Sequence, residues 1–194
     1  MQRLFIAIPL PTTVRDGLRQ VQLQLMPQLR GVSWTKPETM HLTLHFLGDQ
    51  PDDLVAKIAD IVVCVGSSTP PFQLALQRLG AFPSKRRARV LWVGLQDRPE
   101  IDRLHARLAV ELSGIGITAE TRGFKPHLTL GRLRKRPARV NEVLAGFEGV
   151  LPKFLPIEEM ILFRSRLLPT GAEHSPVISA PLKGAGIPDQ TLEG

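Results

Sequence analysis

The sequence predicts an α+β fold with two related, antiparallel-rich sheets, helices on their outer faces and two pseudo-symmetric halves. Apolar segments of strand length alternate with segments of helical periodicity along the 194 residues. Two of the strand-like segments, Phe72–Leu79 and Val90–Leu95, follow each other across a short loop, which favours antiparallel pairing. The string His-Leu-Thr-Leu occurs twice, at His41–Leu44 and at His127–Leu130, and this repeat suggests the two halves.

The elements of the first half follow from periodicity and from helix-start signals. Leu4–Leu10 is an apolar run of strand length, and the segment after it has apolar residues at helical spacing. We expect Thr12 to cap that helix. The first motif lies on a strand, His41–Leu47, and a second helix begins near Pro51 with two aspartates in its first turn, where they favour the helix dipole. A short strand is expected at Ser33–Thr35, between the first helix and the first motif strand.

The second half is predicted in the same way. A basic loop, Pro83–Arg89, separates the paired strands, and a third helix lies between Asp97 and Gly114. We expect residues 1–182 to form one domain and residues 183–194 to be a flexible tail. The remaining predicted elements are the second motif strand His127–Leu133, a helix at Ala138–Ala145, and strands at Ile157–Arg164 and Pro176–Leu182.

Composition limits the class of protein. A chain with 43% hydrophobic and 22% charged residues is typical of a soluble globular domain. The net charge of +7 either attracts polyanions such as nucleic acid or serves solubility alone. Cys64 is the only cysteine, which excludes an internal disulfide and predicts a reducing cytoplasm; we expect it in the core. No apolar run approaches the ~18 residues of a membrane span, so no membrane partner is expected.

The repeated motif places a histidine and a threonine on one face of each strand. Side chains alternate along a strand, so His41 and Thr43 point one way and their leucines the other, and the same holds for His127 and Thr129. The leucines belong to the core, which leaves the histidines and threonines facing a cleft. If the two strands lie side by side, the imidazoles converge.

Two converging histidines suit proton transfer, because one can accept a proton while the other gives one near neutral pH. The hydroxyls of Thr43 and Thr129 can donate to phosphate oxygens, and Arg132 adds a positive, planar fork that matches phosphate. This set predicts phosphodiester cleavage without a metal. A single His-x-Thr is common on half-exposed strands, but two copies with the same leucines favour catalysis.

Three further histidines carry weaker predictions. His45 shares the predicted face of His41, and on a helix this spacing would chelate zinc; on a strand the two lie roughly 13 Å apart, so we expect His45 at the cleft edge instead. His105 is expected on a helix surface. His174 is expected in a late loop and is a minor candidate for the site.

With their flanking residues, the motifs resemble the 2H phosphoesterase superfamily, which is named for two His-x-Thr-x motifs. Within it, the sequence is most similar to the RNA 2′,3′-cyclic phosphodiesterases, historically called 2′-5′ RNA ligases. The resemblance extends over nearly the whole chain. The stretches that carry it are Arg3–Pro11, Trp34–Gly48, Arg89–Gly94, Phe124–Arg132 and Leu162–Leu167.

This resemblance implies a bilobal protein with a central cleft and no metal, which hydrolyses a 2′,3′-cyclic phosphate to a 2′-phosphomonoester. We expect the protein to be a monomer and to need no cofactor. The resemblance also implies that His41 donates a proton to the departing O3′ and that His127 accepts a proton from water. Thr43, Thr129 and Arg132 would then bind the phosphate. Near Gly171 the family often carries an aromatic residue where this chain has Glu173-His174.

Two alternatives remain open from the sequence. The same site run in reverse would join RNA ends, including tRNA halves, through a 2′-5′ linkage. A noncatalytic RNA-binding module would rely on two basic loops, Lys85–Arg89 and Arg132–Arg139. Trp34 and Phe46 can stack on a base, although we expect both to pack in the core.

Overall fold

The computed structural model describes residues 1–118, 123–133, 138–147, 149–168 and 171–185 of the chain. The predicted α+β fold class with two lobes is confirmed. Four helices and a curled antiparallel sheet make up the described part. The helices are α1 (Thr12–Leu25), α2 (Asp52–Ser67), α3 (Pro99–Ser113) and α4 (Asn141–Ala145). The strands are β1 (Gln2–Pro9), β2 (Val32–Trp34), β3 (His41–Gln50), β4 (Phe72–Phe82), β5 (Val90–Leu95), β6 (His127–Leu133), β7 (Phe154–Ile157), β8 (Glu159–Leu168) and β9 (Gly171–Pro181).

The strands form a nine-stranded sheet in the order β7-β4-β5-β6-β3-β1-β8-β9, with β2 paired to β6. Each lobe contributes one half of this order, and the two motif strands, β3 and β6, lie at the junction. Their register pairs Leu42 with Leu128. Every pairing in the described sheet is antiparallel. Among these described pairs, only β4–β5 and β8–β9 are hairpins of strands that follow each other directly in the chain.

The core forms where the leucine faces of the sheet meet the apolar stripes of the helices. In α1 the stripe is Val14, Leu18, Val21 and Leu25, as its spacing predicts, and all four are buried. Helix α2 lies close to β9, since a side chain at Gly66 would contact Ala180 and the Pro181 carbonyl at 3.1 Å. None of the described helices combines the length and the apolar composition that a bilayer crossing requires.

Two predicted helix starts and the predicted burial of one cysteine differ from the structure. Pro11, not Thr12, occupies the N-cap of α1, because the Pro11 carbonyl accepts the first backbone N–H groups of the helix. Helix α4 begins three residues later than expected, since Ala138 forms a backbone bridge with Ala88 instead. Cys64 is exposed rather than buried, because it falls outside the buried stripe of α2.

Some predictions fall wholly or partly outside the described residues. Residues 134–137 of the basic loop Arg132–Arg139 lie outside the described residues. Residues 186–194, which make up most of the expected tail, also lie outside them.

The pairing of β3 with β1 contains two register shifts, and the one after Thr43 changes which side chains reach the cleft. Ile6 of β1 pairs with His45, and Ala7 pairs with Thr43, so Leu44 is left as an extra residue. An extra residue reverses the alternation of side chains beyond it. Leu44 and His45 are therefore both buried, and the Phe46 side chain is 62% exposed. The predictions of His45 at the cleft edge and Phe46 in the core are both wrong for this reason.

Trp92 on β5 lies over the backbone of two glycines. A side chain at Gly80 would meet the indole at 2.1 Å, and one at Gly94 would meet it at 2.9 Å. The Trp92 ring also lies 5.1 Å from that of Phe82. The absence of a side chain at Gly80 is what allows the indole to cover this part of the sheet.

We predict that Gly80→Ala lowers the free energy of unfolding by about 1–3 kcal/mol, because overpacking forces the indole or the strand to move. Chemical denaturation followed by circular dichroism measures this. Gly123→Ala is the matched control, since no described atom lies within 4 Å of its added carbon, and a change within about 0.5 kcal/mol is expected. Equal stability of the two variants would contradict this account of Gly80.

Candidate active site

The two motif strands lie side by side, and their register explains why the histidines meet. With Leu42 opposite Leu128 in antiparallel pairing, each histidine comes next to the threonine of the other strand. The leucines of both motifs are buried, at 0–4% exposure, whereas the histidines and threonines are partly exposed. The predicted division of the motif into a core face and a cleft face is therefore present in both strands.

A cavity of about 860 Å³ opens on the cleft face. The structure brings together along this cavity every residue that the sequence proposes for the site. These residues are His41, Thr43, His127, Thr129 and Arg132.

Both imidazoles are held in the same way. Nδ1 of His41 lies 2.8 Å from the Thr39 carbonyl, and Nδ1 of His127 lies 2.7 Å from the Lys125 carbonyl. A carbonyl oxygen only accepts, so each Nδ1 must carry the hydrogen and donate it. The neutral ring then has its lone pair on Nε2, and the protonated ring has its second N–H there. Proton exchange at either ring is thus assigned to Nε2.

Different local structures produce these matching contacts. In the second motif Pro126 keeps Lys125 extended, which brings its carbonyl back to the histidine two residues later. In the first motif a single 3₁₀ turn, Pro37–Thr39, precedes the strand. The anchoring carbonyl is two residues before the histidine in each case.

Gln22 of α1 joins the loop after β2 to the second motif strand. Its buried side-chain amide donates to the Thr35 carbonyl and to the Leu130 carbonyl, each at 2.8 Å. Thr35 lines the cavity and Leu130 belongs to the second motif. One buried amide of α1 therefore fixes the loop after β2 against β6.

Each catalytic candidate rests against an aromatic ring. The ring of His41 lies 4.9 Å from that of Phe5, and the ring of His127 lies 5.0 Å edge-on from that of Phe82. Trp92 lies beyond Phe82, 6.4 Å from His127. These contacts restrict ring rotation and exclude water from one side of each imidazole.

Burial lowers the pKa of His41 to about 4. The Thr39 carbonyl opposes this shift, whereas the positive charges of His174, Arg132 and His127 add to it. Burial also lowers the pKa of His127, with the Lys125 carbonyl opposing and Arg132 contributing. Both histidines are therefore neutral at pH 7 in the free protein. Because both pKa values in the folded state lie below the ordinary 6.5, stability that is present above pH 6.5 is lost as the pH falls below it, and for His41 the loss extends to about pH 4.

His174 belongs to the cavity, contrary to its expected place in a loop. It lies on β9, paired with Ser165 of β8, and both line the cavity. Its ring meets that of His41 edge-on at 5.6 Å. Sequence reasoning placed the last strand too late in the chain, since the polar residues Glu173 and Ser175 resemble a loop more than a strand.

The remaining two histidines lie outside the cavity. His45 and His105 stack at 4.0 Å, and Phe124 stacks on the other side of His105 at 4.1 Å. Nε2 of His45 donates to the His105 carbonyl at 2.9 Å. The prediction of a free surface position for His105 is therefore wrong, because the buried His45 needs a partner on α3. Burial also lowers the pKa of His105 to about 4.

Sequence reasoning missed most of the cavity wall, which comes from elements without a motif. Alternation along the first strand predicts that Arg3 and Phe5 lie on the same face, but the sequence does not show that this face meets the cleft. Within the described residues, no three side chains of the metal-binding types come together. The missed lining residues with polar or aromatic side chains are Arg3, Phe5, Ser33, Thr35, Lys36, Glu38, Thr39, Ser165 and Glu173.

The family model for LigT-like phosphoesterases matches the chain twice, over residues 8–92 and 93–173. Each match contains one His-Leu-Thr-Leu motif. The chain belongs to the LigT-like phosphoesterase family. This membership agrees with the 2H resemblance, and the paired matches agree with the two halves that the repeated motif predicts.

Two curated relatives are similar to this chain over nearly its full length. A Thermus thermophilus protein named RNA 2′,3′-cyclic phosphodiesterase is 34% identical over 189 residues, covering 94% of this chain and 91% of that protein. A Thermotoga maritima protein of the same name is 29% identical, covering 94% of this chain and 96% of that protein.

Solved structures agree with the fold of this phosphoesterase. A crystal structure of a Thermus thermophilus protein has a TM-score of 0.79 at 29% identity, covering 95% of this chain and 100% of that one. The Escherichia coli LigT structure complexed with 3′-AMP has a TM-score of 0.74 at 24% identity, covering 93% and 98% of the two chains. The second similarity shows the fold alone.

We predict that inorganic phosphate raises the pKa of His41 but leaves that of His105 unchanged. The two pKa values begin near the same low value of about 4, but only His41 lines the cavity, where a bound anion stabilises an imidazolium. Titration of the imidazole signals by NMR, with and without phosphate, measures both. Equal shifts at the two histidines would show that the anion acts through ionic strength and not by binding at the cavity.

Proposed function

We propose that this phosphoesterase hydrolyses RNA 2′,3′-cyclic phosphodiester ends to 2′-phosphomonoesters, with His41 as general acid and His127 as general base. One observation carries the proposal above all others. Two imidazoles, each with Nδ1 fixed on the carbonyl two residues earlier, line one cavity together with Thr43 and Thr129. The curated relatives named RNA 2′,3′-cyclic phosphodiesterase support the same substrate class.

In the proposed reaction, water attacks phosphorus on the side opposite O3′. Nε2 of His127 accepts a proton from this water as the new P–O bond forms, and the P–O3′ bond breaks. Nε2–H of His41 donates its proton to the departing O3′, which becomes the ribose hydroxyl. The phosphate remains on O2′. Turnover ends with His127 protonated and His41 neutral, and proton exchange with solvent resets both. The imidazoles supply both proton transfers, so the proposed step needs no metal.

The negative charge of the substrate favours the protonated form of His41 that the proposed acid role requires. The free site keeps His41 neutral at pH 7 because its pKa lies at about 4. A bound phosphodiester brings a negative charge beside the ring and favours the imidazolium. Hydroxyls of Thr43 and Thr129 and the guanidinium of Arg132 bind the non-bridging oxygens in this proposal. The acid is thereby charged when a phosphate is present.

The shape of the cavity supports this division of roles between the histidines. The cavity extends from His41 along its own half of the sheet, past Phe5, Ser165 and His174. On the other side, His127 is backed by Phe82 and Trp92. The departing O3′ stays attached to its ribose, so the ribose must lie beside the proton donor. Room for a nucleoside lies on the side of His41.

RNA is the proposed polymer because only ribose has the 2′ oxygen that a 2′,3′-cyclic phosphate needs. The exposed cations of the loop Lys85–Arg89 lie between β4 and β5. Backbone hydrogen bonds hold this loop, since Ala88 and Ala138 bond reciprocally and the Val140 N–H donates to the Lys85 carbonyl. We propose that this loop contacts the RNA strand.

One domain over residues 1–182, a monomeric state and a cytoplasmic location also stay proposals.

We predict that His41→Ala and His127→Ala each lower kcat for a 2′,3′-cyclic nucleotide by about 10²–10⁴-fold, the usual contribution of a general acid or base. Steady-state rates in the presence of EDTA measure this and also test metal independence. His105→Gln is the matched control, because this histidine has a similarly low pKa but lies outside the cavity. Full activity in either alanine variant would refute the assigned roles.

The same variants separate the alternatives. RNA binding that weakens with salt and survives both alanine substitutions, without any turnover by the wild type, would support a noncatalytic module instead. Faster joining of RNA halves than hydrolysis by the wild type, lost in both variants, would support a 2′-5′ ligase at the same site.

We predict that the product of hydrolysis is the 2′-phosphomonoester, because the proton donor lies on the side of O3′. Phosphorus NMR or chromatography against the two authentic nucleotides identifies it. Accumulation of the 3′-phosphomonoester would mean that O2′ departs and that the ribose binds in the opposite orientation.

A further inference from the structure

We propose that His174 is a third histidine that contacts the substrate, and that its Nε2–H donates to a non-bridging oxygen of the cyclic phosphate. This inference rests on the proposed function, because it assigns a further binding residue to the same cavity. Neither motif contains His174, and the proposed proton transfers do not use it. It lies near Gly171, where this chain departs from the aromatic residue that is frequent in the family.

The first observation is the position of the His174 ring beside the proposed acid. Strands β1 and β8 lie between β3 and β9, so a flat sheet would separate the two outer strands by roughly 14 Å. Because the sheet is curled, the ring of His174 meets that of His41 edge-on at 5.6 Å, and each ring lies 4.9 Å from that of Phe5. His174 can therefore reach the phosphate that His41 contacts, but from the side of β9.

The second observation is that no hydrogen bond among the described residues explains a histidine at this position. Nδ1 of His174 is buried and has no hydrogen-bond partner there. His41, His45 and His127 instead each have a ring nitrogen beside a backbone carbonyl. A buried polar atom without a partner lowers stability, and a phenylalanine at this position would avoid that cost. The ring therefore contributes through its other nitrogen, Nε2.

The third observation is the protonation state that the cavity gives His174. Burial lowers the pKa of His174 from 6.5, and the backbone of Glu173 opposes the shift. A phosphate oxygen only accepts hydrogen bonds, so a bound phosphodiester requires a hydrogen on Nε2, which both the neutral ring and the imidazolium can carry. Thr43, Thr129 and Arg132 approach the phosphate from β3 and β6, which leaves the oxygen on the side of β9 to His174.

The first test compares His174→Phe with the wild type on a 2′,3′-cyclic nucleotide. We expect kcat/KM to fall by about 10- to 150-fold, because a hydrogen bond to a charged group is lost. The midpoint of chemical denaturation should stay the same or rise, since the substitution removes the unpartnered Nδ1. His174→Gln should recover most of the lost kcat/KM, because its amide can place an N–H near the position of Nε2. A lower midpoint in His174→Phe without recovery in His174→Gln would show a structural role and overturn the proposal.

The second test uses the two diastereomers of a nucleoside 2′,3′-cyclic phosphorothioate, in which sulfur replaces one or the other non-bridging oxygen. Sulfur is a weak acceptor, so the isomer with sulfur on the side of β9 has already lost much of its bond to His174. His174→Phe should therefore lower kcat/KM for that isomer about tenfold less than for the other, the lower end of the same range. A change in cavity shape alone would lower kcat/KM for both isomers alike.

His105→Phe is the matched control, because this ring stacks between His45 and Phe124 outside the cavity. It should leave kcat/KM and the ratio between the two isomers unchanged. Full activity in His174→Phe, or equal losses for both isomers, would overturn the role of His174. Either result would leave the hydrolase proposal intact, whereas no turnover of the cyclic nucleotide by the wild type would refute the hydrolase itself.

Discussion

The pairing of β3 with β6 is the contact on which the site depends. A single register, Leu42 opposite Leu128, joins the two halves of the sheet. Because the leucines on this junction are buried, the histidines and threonines of both strands must emerge on the opposite face. A shift of one residue in this pairing would bury one pair of polar side chains and expose a leucine face. The apolar core thereby fixes the geometry of a polar site.

Burial of the two motif histidines also determines their protonation state. Aromatic rings behind His41 and His127 remove water from one side of each imidazole, which lowers both pKa values. Backbone carbonyls partly oppose this shift and fix the proton on Nδ1. An empty site is therefore neutral at the two imidazoles but retains the cation of Arg132. Such a site is suited to an anionic ligand, whose charge restores the protonated form of the acid.

Regular alternation predicts the fold and the motif well but fails where the strand is irregular. The bounds of β5 and β6 and the apolar stripe of α1 agree with the sequence. Leu130 is an extra residue in the pairing of β6 with β5, but it leaves the bounds of the strand unchanged. His45 and Phe46 exchange their predicted places because Leu44 is an extra residue in β3. The sequence around His174 predicts a loop, because the polar residues beside it are not typical of a strand, but His174 lies on β9. Neither irregularity changes composition or period enough to be visible in the sequence.

The sequence by itself determined the fold class and the pair of histidines, since a repeated motif with alternating leucines allows one arrangement of core and cleft. The tertiary structure alone decided which other side chains surround them. Phe5, Phe46 and His174 come from three different strands, and only the order of the sheet brings them to one wall. Local sequence encodes the direction of a side chain along its own strand. It does not encode which distant strand lies beside it.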